Sequence, residues 1–185
     1  ANPALARTIS AAIGDGWIAD LGQLRRLGPL ATDAGFLDDF RKAKHEAKAQ
    51  FADWLKSAAG LTVDPDTIFD SQVKRIHEYK RQLLNVLRIV VLYKRLREKP
   101  GLSMTPRTFF FAGKAAPAYR LAKVIIKFLN TLAAMIDGDA AVRGRLQGAF
   151  LPGYCGSLAE RRIPATDVSN QISPAGHEAR GPRHQ

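Results

Sequence analysis

Residues 73–82 read VKRIHEYKRQ. The stretch carries Lys74, Arg75, Lys80 and Arg81, and His77 can add a further positive charge. Glu78 and Tyr79 sit among these cations. Three settings suit such a cluster: a solvated helix face, a nucleic-acid patch, or a site for phosphate groups. On one regular helix, Lys74, Arg75 and Lys80 would point near about 0°, 100° and 240°, and could not converge on one anion. A different layout lets them meet. Lys74 and Arg75 end a strand, residues 76–81 form a loop, and a helix starts at Gln82. A guanidinium and two ammonium groups then form a phosphate cradle at the strand's carboxyl end. Glu78 can orient one cation or join in proton transfer, and Tyr79 offers a hydroxyl and an apolar face. By spacing alone, a solvated helix start is the alternative reading.

The elements that would position this loop can be read from the pattern. Thr67–Val73 follows the Asp64-Pro65-Asp66 turn and suits a strand. Leu83, Val86, Leu87, Val90 and Tyr93 recur at helical spacing from about Gln82 to Arg97, where Pro100-Gly101 breaks the pattern. The apolar run Thr108–Ala112 predicts a buried strand, with Phe109–Phe111 in the core. A tight loop follows from Gly113 to Pro117, then a helix to about Met135. Asp137-Gly138-Asp139 reads as a turn, Leu146–Leu151 as a third strand, and residues from Ser157 toward Pro164 as a further helical turn. This β-α-β-α-β-α alternation predicts an α/β fold, a Rossmann-like parallel sheet with flanking helices. Such sheets bind ligands at the carboxyl ends of their strands, where helix N-termini face anions.

A helical segment is expected before the sheet, over residues 1–60. Pro3 suits a first helical turn, and Leu5, Ile9 and Ile13 follow at helical spacing up to Gly14. A short element around Trp17–Leu27 is expected to end at Gly28-Pro29. Phe36 to Leu55 reads as one long amphipathic helix with a solvated charged middle, RKAKHEAKAQ, that includes His45. The Rossmann-like region is expected over residues 61–172, and a divergent, disordered tail over 173–185.

Bulk properties narrow the function. A chain of 185 residues with 46% hydrophobic residues can bury a core. The net charge of +11 points to an anionic partner. A nucleic-acid partner is not expected, because no recognition-helix motif or interleaved exposed aromatics accompany the charge. The apolar runs are too short to span a membrane, and no signal peptide is visible. Cys155 is the single cysteine, which fits a reducing compartment, the cytoplasm. The four histidines have no metal-ligand spacing with it, so no metal site is expected.

Three segments carry a resemblance. FDSQVKRIHEYKRQLLNVL at 69–87, PRTFFFAGKAAPAYRLAKVIIK at 106–127 and SLAERRIPATDVSNQIS at 157–173 resemble the α-glucan (glycogen, starch and maltodextrin) phosphorylase family. The likeness runs from about Asn2 to Ala179 and includes NPALA at 2–6. It implies part of a glycosyltransferase-B fold and the reversible phosphorolysis of terminal α-1,4-linked glucose to α-glucose 1-phosphate. It also implies pyridoxal 5′-phosphate, held as a Schiff base, whose phosphate works beside the substrate phosphate. Two phosphates in contact repel strongly in a dry site, so they need many cations. By position, the resemblance assigns Lys74 to the cofactor phosphate. It assigns Arg75 and Lys80 to the substrate phosphate, as the catalytic pair. Tyr79 matches a tyrosine near the glucosyl unit, Tyr154 one beside the cofactor, and Glu178 a glutamate that hydrogen-bonds a glucose hydroxyl. The implied partners are α-1,4-glucan and orthophosphate, and the parent enzyme is implied to be a homodimer.

The sequence also departs from the family pattern. The family continues after Glu-Ala with Ser-Gly-Thr-(Gly/Ser)-Asn-Met-Lys, whose lysine forms the Schiff base. Here Glu178-Ala179 is followed by RGPRHQ. Cys155 stands where the family has arginine, and Ala118 replaces a loop glycine. Ala112-Gly113-Lys114 stands for Gly-Gly-Lys. We therefore expect a truncated piece of a phosphorylase that is inactive alone. The alternative is a remnant that binds phosphate or a phosphorylated ligand without turnover.

Overall fold

The computed structural model describes residues 2–151 and 156–176. Helix α1, Pro3–Ile13, starts with proline at its first position and is capped by the Asn2 side chain, which accepts from Leu5 N–H. Gly14, at φ 78°, ends it. Two 3₁₀ segments follow, Asp15–Ile18 and Leu21–Thr32. The second runs through Gly28 and Pro29 rather than stopping there. Proline's fixed φ of about −65° is compatible with 3₁₀ backbone, so the expected break does not form. Helix α2, Ala34–Ala59, is capped by Asp33 and closed by left-handed Gly60.

The charged middle of α2 is less solvated than its composition predicts. Ala43 and Ala47 are buried on α2, and Lys48 is only 8% exposed. Lys44 Nζ donates to the Pro164 carbonyl at 2.8 Å. His45 is exposed, as expected. Small alanines between the charges open a face on which α1 and helix α5, Gly156–Ala165, pack. A lysine stem can cover such a face while its ammonium group reaches a polar partner, as the Lys44 bond to Pro164 shows. These helices form one unit, Ala1–Pro65 with Gly156–Ala165.

The second unit comprises Asp66–Cys155 and Thr166–Gln185. Its parallel sheet contains β1 (Ile68–Val73), β2 (Arg107–Ala112), β3 (Leu146–Leu151) and the short β4 (Val168–Ser169). The strand order is β3-β2-β1-β4. Helices α3 (Gln82–Glu98) and α4 (Arg120–Gly138) link the first three strands. The α/β reading and the three expected strands hold. The expected turn at 137–139 begins later, because α4 continues through Asp137 to Gly138.

Phe109 and Phe111 pack with Val86, Ile89, Ile125 and Leu129 in one apolar core. Side chains alternate along a strand, so Phe110 faces the other way. There it meets Phe69 edge-on, with ring centroids 5.0 Å apart. Helix α3 differs from its apolar pattern. Val86 and Tyr93 are buried, yet Leu83 and Leu87 are 40% and 46% exposed. The inner face of α3 begins instead with Gln82 and Asn85, which are 1% and 3% exposed. Among the described residues, no helix is long and apolar enough to cross a membrane.

Candidate anion site at the strand ends

The basic loop leaves the carboxyl end of β1. Strand pairing continues past the last residue of β1: Lys74 N–H donates to the Ala112 carbonyl at 3.0 Å, and Ile76 N–H to the Lys114 carbonyl at 3.1 Å. Gly113 lies between these two bonds. A Cβ there would stand 1.9 Å from the Lys74 carbonyl oxygen, so only glycine lets the two backbones approach this closely. The loops after β1 and β2 are thus locked edge to edge.

Beyond Ile76 the chain turns through a short 3₁₀ segment, Glu78–Lys80, and enters α3 through Arg81 in the left-handed region, at φ 56°. Arg81 is the described non-glycine residue with positive φ, and short polar or glycine residues adopt that region more easily. Its guanidinium donates to the Ile172 carbonyl at 3.4 Å, which ties the loop after β1 to the segment after β4. In the order β3-β2-β1-β4 the chain reverses direction of assembly at β1 and β4, and the basic loop sits there. That is the position at which open α/β sheets bind ligands.

Arg75, Lys80 and Lys114 line one cleft of about 340 Å³ together with His77, Tyr79 and Tyr119. Three cations from two strand-end loops therefore border the same space. The cleft has an aromatic side as well. The His77 ring lies 4.1 Å from that of Tyr79 and 5.3 Å from that of Tyr119. Lys80 Nζ stands 5.7 Å from the Tyr79 ring centroid. Tyr119 donates to Glu78 Oε2 at 2.7 Å and accepts from the Glu78 N–H at 3.3 Å. Burial, and then the hydrogen bond to Glu78, holds the Tyr119 phenol above its ordinary value. Glu78 is thus engaged by a phenol in this structure.

Lys74 is 1% exposed and is not part of the cleft lining. It directly follows the last residue of β1. Tyr154 and Glu178, also expected at the site, lie outside the described residues, as do Cys155, His177 and His184. The structure thus gathers Arg75, Tyr79 and Lys80, adds Lys114 and Tyr119, and leaves buried Lys74 out of the lining.

The profile of the carbohydrate phosphorylase family matches residues 1–183. The chain belongs to that family. It is 48% identical over 180 residues to the glycogen phosphorylase of Synechocystis sp., which covers 97% of this chain and 21% of that protein. It is 49% identical over 181 residues to the glycogen phosphorylase of Bacillus subtilis, covering 98% and 23%. It is 48% identical over 180 residues to the muscle form of glycogen phosphorylase from Mus musculus, covering 97% and 21%. The chain thus spans about a fifth of the length of the relatives it matches.

Several residues of this phosphorylase segment escape a reading by motif. Asp70 is 1% exposed within β1. Its Oδ2 accepts from Arg88 at 2.9 Å and from Arg107 at 2.7 Å, and its Oδ1 accepts from Asn170. Gln72, Gln82 and Asn85 form buried amide contacts beneath the loop. A strand aspartate between two distant arginines has no local signature. Gly113 did have one, as the glycine before a lysine after a strand.

Proposed function

We propose that the cleft is the phosphate-handling part of an α-glucan phosphorylase site. The longer protein would carry out reversible phosphorolysis, in which orthophosphate takes the terminal α-1,4-linked glucosyl unit as α-glucose 1-phosphate. Support comes above all from one observation: Arg75, Lys80 and Lys114 border a single cleft at the strand ends of a phosphorylase-family chain.

Arg75 presents a planar fork that suits two oxygens of one phosphate, and Lys80 adds a compact charge. Together they would hold the attacking phosphate and stabilise the charge that builds on it in the transition state. Tyr79 would flank the glucosyl unit. Tyr119 would steady Glu78 and keep that carboxylate engaged away from the anion. The cation set also fits pyridoxal 5′-phosphate. Lys74 would hold the cofactor phosphate, because little water competes with a buried ammonium. When bound, this cofactor supplies a second phosphate for proton transfer beside the substrate phosphate. Tyr154 would lie beside the cofactor, and Glu178 would bind a glucose hydroxyl. None of the 185 residues is assigned the Schiff-base role.

Calorimetric titration of the whole chain with orthophosphate tests the reading. The wild-type chain is expected to bind. Arg75→Ala and Lys80→Ala should each weaken binding about ten-fold or more, as expected when a charge-assisted contact is lost. A titration of the folded wild type that matches the buffer blank would refute the phosphate reading, and so would an Arg75→Ala chain that binds like wild type.

A further inference from the structure

The cleft cations stand on a main chain that three buried amides hold from below. Gln72 lies on β1, and Gln82 and Asn85 lie in the first residues of α3. Gln82 Nε2 donates to the Arg75 carbonyl at 3.1 Å, and its Oε1 accepts from the His77 N–H at 3.4 Å. Gln72 Nε2 donates to the Lys80 carbonyl at 3.0 Å. Its Oε1 accepts from Asn85 Nδ2 at 2.8 Å. Asn85 Oδ1 accepts from Arg88 Nε at 3.0 Å, and Arg88 is anchored on buried Asp70.

The chemistry fixes the orientation of this chain. A backbone carbonyl at one end can only accept, and a guanidinium at the other can only donate. Gln72 must therefore turn its amino group to Lys80, Asn85 must turn its own to Gln72, and Asn85 must turn its oxygen to Arg88. No single amide can flip without placing like groups against each other. Every amide uses both of its ends, which is what makes burying it tolerable. Apolar residues at these positions would pack without that requirement. Two of the amides occupy the inner face of α3, where its neighbours are Val86 and Ile89. None of the three lines the cleft.

We propose that Gln82 and the Gln72–Asn85 pair are positioning residues for anion binding. They hold the carbonyls of Arg75 and Lys80 themselves, the two residues assigned to the substrate phosphate. In doing so they set the spacing of the two charged side chains across the cleft. The Gln82 clamp fixes the entry of the loop, and the Gln72–Asn85 clamp fixes its exit. Small displacements of a binding group weaken its contacts steeply, so a loosened clamp acts on affinity through the cation it holds. The inference rests on the phosphate reading above.

A double-mutant cycle on the whole chain tests it, with orthophosphate as the probe. Four forms are titrated: wild type, Gln82→Met, Arg75→Ala and the double variant. Methionine keeps the volume and removes both hydrogen-bonding ends. Gln82→Met is expected to weaken phosphate binding about ten-fold in the wild-type background. In the Arg75→Ala background it should change affinity by less than about two-fold, because the residue it acts through is gone. An equal loss in both backgrounds would mean general loosening and would overturn the proposal, as would wild-type affinity in a folded Gln82→Met chain. If Gln82→Met does not fold, Gln72→Met with Lys80→Ala forms the equivalent cycle. If both Met variants fail to fold, the amides are requirements of the fold, and the positioning role falls. A wild-type chain that does not bind phosphate removes the phosphate reading and this inference together. Binding that depends on Arg75 but ignores Gln82 removes this inference alone.

Discussion

Gly113→Ala places one methyl group where the backbone leaves no room. The added Cβ would lie 1.9 Å from the Lys74 carbonyl oxygen and 2.9 Å from the Lys74 carbonyl carbon. Both are main-chain atoms, so no rotamer change relieves the clash. The two strands must part locally, and the bonds on either side resist: Lys74 N–H to Ala112 O at 3.0 Å and Ile76 N–H to Lys114 O at 3.1 Å. Overpacking of this kind costs about 1–3 kcal/mol. Weakening one of the flanking bonds adds about 1 kcal/mol. A total near 3 kcal/mol corresponds to a Tm lower by about 10 °C for a chain of this size. Gly101→Ala is the control, because a Cβ there meets nothing within 4 Å. It should be neutral or slightly stabilising. Urea melts followed by circular dichroism give the free-energy change of each variant, and thermal melts give the Tm shift. The same variant should also weaken phosphate binding, since Lys114 and Arg75 sit on the two displaced loops. A Gly113→Ala chain within about 0.5 kcal/mol of wild type, the usual range for surface changes, would refute the steric reasoning.

Other consequences follow from the charged groups. Asp70→Asn removes the carboxylate that Arg88 and Arg107 share, and the buried cluster should lose about 3 kcal/mol in a denaturant melt; a loss below about 1 kcal/mol would show that the guanidiniums find other partners. Tyr93→Phe tests a pH effect. The hydrogen bond from Tyr93 holds the Asp139 carboxyl below its ordinary 3.8, with help from the Ala141 N–H and the Arg97 charge. A lowered folded-state pKa means that the unfolded chain binds the proton first. This contribution is therefore present above the unfolded value of 3.8 and is lost as pH falls through the lowered folded value. In Tyr93→Phe that acid limb should shrink in urea midpoints taken from neutral to strongly acidic pH. An unchanged difference between neutral and acid midpoints would count against the assignment.

Strand β2 was legible as an apolar run and β1 by the turn residues that precede it, and Leu146–Leu151 forms as read. Helix α3 shows where such reading stops. Its apolar residues suggest an inner stripe through Leu83 and Leu87, but the buried face turns toward Gln82 and Asn85. An amide looks like a surface residue in any hydrophobicity pattern. Its burial is decided by carbonyls that arrive from elsewhere in the chain, here those of Arg75 and Lys80. The same limit applied to α2, where lysines among alanines read as a solvated face. Strand β4 was missed for a related reason. Two residues, Val168 and Ser169, carry no period, and only pairing with Asp70 and Ser71 makes them a strand.

The cations were legible for the opposite reason. Their spacing is incompatible with convergence on one helix, so a shared anion required a loop after a strand, and β1 does end just before them. That placement constrains what can lie beneath. Repulsion among Arg75, Lys80 and Lys114 grows as water is excluded from the cleft, and in the absence of an anion it tends to spread the loop. Carbonyl clamps oppose that spreading without adding negative charge to the cleft, whereas carboxylates beside the cations would neutralise them and compete with an anion. Asp70 carries its negative charge within β1, where Arg88 and Arg107 take it up. Neutral amides then pass the anchorage from Arg88 to the loop. The buried carboxylate and the amides thus anchor the loop from residues that do not line the cleft.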